Sequence, residues 1–176
     1  MPTSKTQNKT KKTSVKTAQK SSDIPEFIEG IPTKKSLIRE RRELIVKYYD
    51  GLWKRLQRET GSNYIVNDFL QTKIYIVKNE SDKKAKNESV YNWKSTFAVK
   101  HLYEVVRNAR PLNGIIEFEK AKDGSQKDKG YKQTLILYYK FVSSKDYMNF
   151  AVKLTIGIKA DGKHIQYAVN KIDIKK

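Results

Sequence analysis

The chain is 176 residues long and carries 37 Lys and Arg against 19 Asp and Glu, a formal net charge of +18. With no Cys, two His and 38% hydrophobic residues, the composition excludes a disulfide framework, a thiolate metal site and a cysteine nucleophile, and no apolar run approaches the roughly 18 residues that a bilayer-spanning helix needs. So basic a chain points to a polyanionic partner, nucleic acid ahead of an anionic membrane surface, with plain solubility as the other use of the charge.

Residues 1–22 contain Lys5, Lys9, Lys11, Lys12, Lys16 and Lys20, no acid and little apolar bulk. Such a segment buries too little surface to offset its ordering entropy, which predicts a disordered basic arm. It has neither the apolar core of a secretory signal nor the Arg-rich pattern of a presequence. Lys5, Lys9, Lys11 and Lys12 are candidates for salt-sensitive attraction to phosphates, and an unstructured terminus without that role is the alternative. Residues 23–33 reverse the charge, with Asp23, Glu26 and Glu29 beside Phe27, Ile28 and Ile31, and read as a linker that docks.

Thr33 is the expected N-cap of a helix running to about residue 60, with Leu37, Leu44, Ile45, Tyr48, Leu52 and Leu56 as its apolar stripe and Gly61 as its stop. The other face is basic, and Arg39, Arg41 and Arg42 are its candidate nucleic-acid contacts; the same pattern also suits a merely solvated helix. Residues 63–69 are ambiguous, 72–78 (TKIYIVK) read as a strand and 79–88 as a polar loop. Residues 34–90 are thus expected to form a basic helix with one strand and a loop. Ser95 is the expected cap of a second helix through Ala98, Leu102, Val105, Val106 and Ala109, stopped by Pro111.

The remainder has β-type segments at 115–120, 132–142, 148–159 and 163–174, an antiparallel meander. Taking Asp161-Gly162 as a two-residue hairpin loop pairs Lys159 with His164, Ile158 with Ile165, Ile156 with Tyr167, Leu154 with Val169 and Lys153 with Asn170. That register places Phe150, Val152, Leu154, Ile156, Ile158, Ile165, Tyr167 and Val169 on a core face, and Lys153, Thr155, Lys159, His164, Gln166 and Asn170 on a wet one. The expected fold class is α+β: an N-terminal helical segment, then, over residues 91–176, a helix packed on a four-stranded antiparallel sheet.

There is no phosphate-binding Gly loop, no dinucleotide fingerprint and no Asp/Glu cluster spaced for two metals, so neither cofactor nor metal is expected. Metal-free RNA cleavage needs only a base, an acid and a cation for the charged phosphorane. His101 on the second helix and His164 after the hairpin are the candidate proton carriers, and a structural role is the alternative for each. Lys153 is the candidate charge-stabilising group, and Lys159, Gln166 and Asn170 are candidate nucleic-acid contacts on the wet face. Tyr138, Tyr139 and Tyr147 offer rings on which single-stranded bases stack.

Residues 94–109 (KSTFAVKHLYEVVRNA), the strand run after them, residues 150–158 (FAVKLTIGI) and Gln166-Tyr167 resemble the barnase/EndoU/colicin/RelE-like nuclease domains found in large polyvalent proteins of phages and mobile elements. The resemblance covers the C-terminal half and implies an RNase-like fold, metal-independent RNA cleavage and His101 as a catalytic group. The leading expectation is therefore a nucleic-acid-binding protein of a phage or mobile element, RNA ahead of DNA, acting as a metal-independent RNA endonuclease. The alternative is a non-catalytic structural or packaging protein that binds nucleic acid or other subunits of a phage assembly through its arm and helix. Either reading implies a cytoplasmic or virion-associated location and no membrane partner.

Overall fold

The computed structural model describes residues 32–34, 36–77, 89–142 and 149–173. The arm at 1–22 with Lys5, Lys9, Lys11 and Lys12, most of the linker, the 79–88 loop and Tyr147 lie outside the described residues.

Helix α1 spans Ile38–Thr60. It starts later than Thr33 because Thr33 closes a turn of its own: its N–H donates to Ser36 Oγ at 2.9 Å and its carbonyl accepts the Ser36 N–H at 3.1 Å. Glu40 Oε1 then accepts the Leu37 N–H at 2.8 Å, satisfying a donor at the helix entrance. Gly61, at φ 70°, ends the helix in the left-handed region that glycine enters without steric cost.

Strands β1 (Tyr64–Asn67) and β2 (Thr72–Tyr75) form an antiparallel hairpin. Helix α2 (Trp93–Lys100) is capped by Asn92, whose Oδ1 accepts the Lys94 N–H at 2.8 Å. Ser95, the expected cap, lies inside the helix, and its Oγ accepts the Lys171 N–H at 2.7 Å, tying the helix to the sheet. The single second helix expected from the sequence is broken at His101 (φ −107°, ψ 29°), beyond which α3 runs Leu102–Asn108. Then follow β3 (Glu117–Lys120), the short α4 (Ser125–Asp128), β4 (Tyr131–Phe141), β5 (Phe150–Lys159) and β6 (His164–Ile172).

The expectation of a four-stranded antiparallel sheet is overturned. The sheet has six strands in the order β1-β2-β6-β5-β4-β3, and it is mixed, because β2 pairs parallel to β6 through Ile74↔His164 and Tyr75↔Ile165. The reason lies in β6, whose Ile165, Gln166, Tyr167, Ala168 and Val169 are all buried. A strand buried on both faces is an interior strand and needs a neighbour on each side, and the β1–β2 hairpin supplies the second.

Helices α1 to α3 cover one face of this sheet. The core beneath them draws Ile45, Tyr49 and Leu56 from α1, Ile65 and Ile74 from the hairpin, Leu102, Val105 and Val106 from α3, and Leu135, Leu137, Val152, Leu154, Ile156 and Val169 from the central strands. The units expected at 34–90 and 91–176 therefore share one hydrophobic core. Ala121, Tyr131, Ile165, Tyr167 and Ala168 form a smaller cluster of their own.

The β5–β6 register corrects the expected faces. Gly162 (φ 87°) accompanies a turn in which its N–H donates to Lys159 O at 2.9 Å and the Lys159 N–H donates to Lys163 O at 3.0 Å. That is a three-residue loop with glycine at the left-handed position, so Ile158, not Lys159, faces His164. A bulge between Thr155 and Ile156 then restores the expected Leu154↔Val169 and Lys153↔Asn170 pairs. Between turn and bulge the faces are exchanged: Gln166 lies opposite Ile156 on the helix side, while Ile165 and Tyr167 join the smaller cluster. Among the described residues no helix is long and apolar enough to cross a membrane.

Candidate nucleic-acid interface

The three residues expected to share catalysis sit apart. His101 occupies the α2–α3 break on the helix side, its ring 4.7 Å from that of Phe97 and 6.1 Å from that of Phe141. Burial there holds its pKa below the ordinary histidine value, with Glu104 opposing and Lys100 adding to the effect. His164 stands at the start of β6 with Nδ1 2.7 Å from the Gly162 carbonyl oxygen. Lys153 faces away from the helices, opposite Asn170 on β6 and Tyr138 on β4. The sheet therefore separates Lys153 from His101.

Two candidate contacts are taken up by the fold. Arg41 is 8% exposed; its Nη1 donates to Val90 O at 3.0 Å and its Nη2 to Lys34 O at 3.2 Å and Thr33 O at 3.4 Å. It is a staple between the helix entrance and the segment before α2, not a surface cation, and burial lowers its pKa despite Glu40. Gln166 is buried, and its Oε1 accepts the Tyr49 hydroxyl. Arg39 and Arg42 are exposed on α1, and Lys159 is exposed at the hairpin end.

Lys153, Thr155 and Asn170 do meet, in a cavity of about 230 Å³ on the open face of the sheet. Glu119, Lys122, Asp123 and Gln126 line it too. Two carboxylates beside two ammonium groups cancel most of the field a polyanion would feel. Tyr138, on the same face, hydrogen-bonds Glu117, and burial together with Glu117 and Glu119 raises its pKa. Tyr139 packs on the helix side with its ring 4.9 Å from that of Phe141.

A second concavity has no such conflict. Between α1 and the α2–α3 pair lies a groove of about 390 Å³ lined by Lys47, Tyr48, Gly51, Leu52, Arg55, Val99, Lys100, Leu102 and Tyr103. Its lining holds three cations and two tyrosines and no carboxylate. The Arg55 guanidinium stands 3.7 Å from the centroid of the Tyr103 ring, while its Nε donates to Glu59 Oε2 at 2.9 Å. Burial pushes the Tyr48 phenol up to about 12, so it stays a neutral donor and acceptor. Arg39, Arg42, Lys54 and Arg58 are exposed elsewhere on α1, Lys54 being paired with Asp50 at 3.1 Å.

The sequence marks this helix as basic on one face without showing the groove. The readable signal is the 47, 51, 55 spacing, which sets Lys47, Gly51 and Arg55 above one another at intervals of four. Lys100 and Tyr103, the other wall, come from α2 and α3, more than forty residues away, and carry no local signal. The chain matches no family model, and neither a curated protein nor a solved structure is significantly similar to it.

Proposed function

We propose that this protein binds nucleic acid, single-stranded RNA ahead of duplex DNA, by laying the strand along α1 and seating a nucleotide in the groove between α1 and the α2–α3 pair. The observation that carries the reading is Gly51. A glycine inside a helix costs roughly 0.5–1 kcal/mol relative to alanine, yet nothing lies within 4 Å of where a Cβ would stand at this position. Packing does not require the glycine. Its missing side chain leaves open space along a groove lined by Lys47, Arg55, Lys100 and two tyrosines.

Cations along the rim suit phosphates, and rings in a narrow groove suit an unstacked base that a duplex does not present. The separation of His101 from Lys153 favours binding over cleavage. The test is a titration of the full chain with a labelled single-stranded RNA at several salt concentrations, alongside a duplex DNA of equal length. The expected result is tighter binding of the single strand, with log affinity falling against log salt at a slope of about −2 to −4. Equal affinity for duplex and single strand, or affinity indifferent to salt, contradicts the proposal.

A further inference from the structure

The six-stranded sheet ends at β3, and all four of its residues are exposed. The ladder to β4 fixes which backbone groups stand free. Ala121 N–H donates to Lys132 O, and the register continues through Lys120↔Gln133, Glu119↔Thr134, Phe118↔Leu135 and Glu117↔Ile136. Because hydrogen-bonding residues alternate along an antiparallel strand, Glu117 and Glu119 direct their backbone groups to β4, and Phe118 and Lys120 direct theirs outward. The same alternation splits the side chains. Glu119 lies on the open face, in the cavity with Lys153, and Glu117 beside it reaches Tyr138. Phe118 lies on the helix face, opposite Leu135, but among the described residues no helix covers it there: it is 56% exposed, with Ile115 at 69% just before it.

An uncovered edge with a row of unpaired N–H and C=O groups is a template for another strand. Charge decides which one. A second copy of β3 added antiparallel in one continuous sheet brings residues of the same face opposite each other, so glutamate meets glutamate when the pairing is centred on Glu117, Phe118 or Glu119, and lysine meets lysine when it is centred on Lys120. Like charges directly opposite are destabilising, which guards the edge against self-association. We infer that β3 accepts an extended peptide from a partner protein as a seventh strand, one that alternates Lys or Arg, facing Glu117 and Glu119, with apolar residues that cover Phe118. Main-chain hydrogen bonds to Phe118 and Lys120 supply affinity, and the alternation supplies specificity. This surface is distinct from the α1 groove and does not rest on nucleic-acid binding.

The experiment titrates the full chain with a labelled eight-residue peptide alternating Lys and Val, and with the same peptide carrying Glu for Lys. The expected result is binding of the Lys peptide in the range of roughly 1–100 μM and of the Glu peptide at least about tenfold more weakly. Lys120→Pro removes one outward N–H without touching the ladder to β4, and is expected to weaken the Lys peptide about tenfold at unchanged melting temperature. Glu119→Lys is expected to narrow or reverse the preference between the peptides. No preference for the Lys peptide, or full binding to Lys120→Pro, overturns the inference. So does dimerisation in sedimentation that Lys120→Pro abolishes, since a second copy would then occupy the edge.

Discussion

The hydroxyl of Tyr49 on α1 donates to Gln166 Oε1 on β6 at 3.0 Å, across 117 positions of sequence and inside the core. It is a polar tie between α1 and the central strands, and among the described residues Gln166 Nε2 has no partner in the same surroundings. Tyr49→Phe leaves the Oε1 unpaired as well, and is expected to lower unfolding free energy by about 1–2 kcal/mol. Because an unmade buried hydrogen bond costs more than a pair replaced by apolar groups, the double variant Tyr49→Phe/Gln166→Leu is expected to recover most of that loss. Urea unfolding of the two variants beside the parent chain checks both.

Arg41 separates charge from binding. Arg41→Met strips the carbonyls of Val90, Lys34 and Thr33 of a common donor and is expected to cost about 2–4 kcal/mol of stability. Its guanidinium is inside the fold, so RNA affinity measured at a temperature where the variant is folded stays within about twofold of the parent. Lys47→Met, exposed in the groove lining of the same helix, is expected to do the opposite: little change in melting temperature and a measurable loss of affinity at low salt.

His101 links stability to pH. Burial depresses its folded-state pKa below the 6.5 of the free side chain, so the unfolded chain takes up a proton at a pH where the folded chain does not. The stabilising contribution of the neutral ring is complete above about pH 6.5 and is lost as pH falls from there toward the folded-state value, below which it changes no further. Melting temperature is expected to drop between pH 7 and pH 5.5 in the parent chain and to drop less in His101→Phe, a substitution that keeps a ring among Phe97 and Phe141. Parallel slopes in the two proteins contradict the assignment.

Much of the fold was legible in the sequence. The stripe of α1 and its stop at Gly61 are local signals, and β4, β5 and β6 follow their β-branched and aromatic runs to within two residues. What local pattern conceals is long-range. Asn67, fully buried, lies in a stretch whose pattern is ambiguous, yet its Nδ2 donates to the carbonyls of Val106 and Ala109 and so caps α3 from β1. The Asp161-Gly162 pair suits a two-residue and a three-residue loop alike, and that one-residue difference moved Gln166 from the wet face to the core. Arg41 belongs to a basic helix face by composition, and only its contact with Val90 takes it out. Of the wet-face residues, Lys153, Thr155 and Asn170 gather as expected, because the bulge restores their register.

Whether RNA occupies the groove beside Gly51 is decided by the affinity of Gly51→Leu for single-stranded RNA, with Gly51→Ala beside it. Both substitutions leave every charge in place and are expected to raise helix stability by roughly 0.5–1 kcal/mol. RNA seated there requires that Gly51→Leu, which adds bulk to the groove lining, weaken RNA binding by about tenfold or more while Gly51→Ala changes it far less. An affinity of Gly51→Leu equal to that of the parent chain would contradict it.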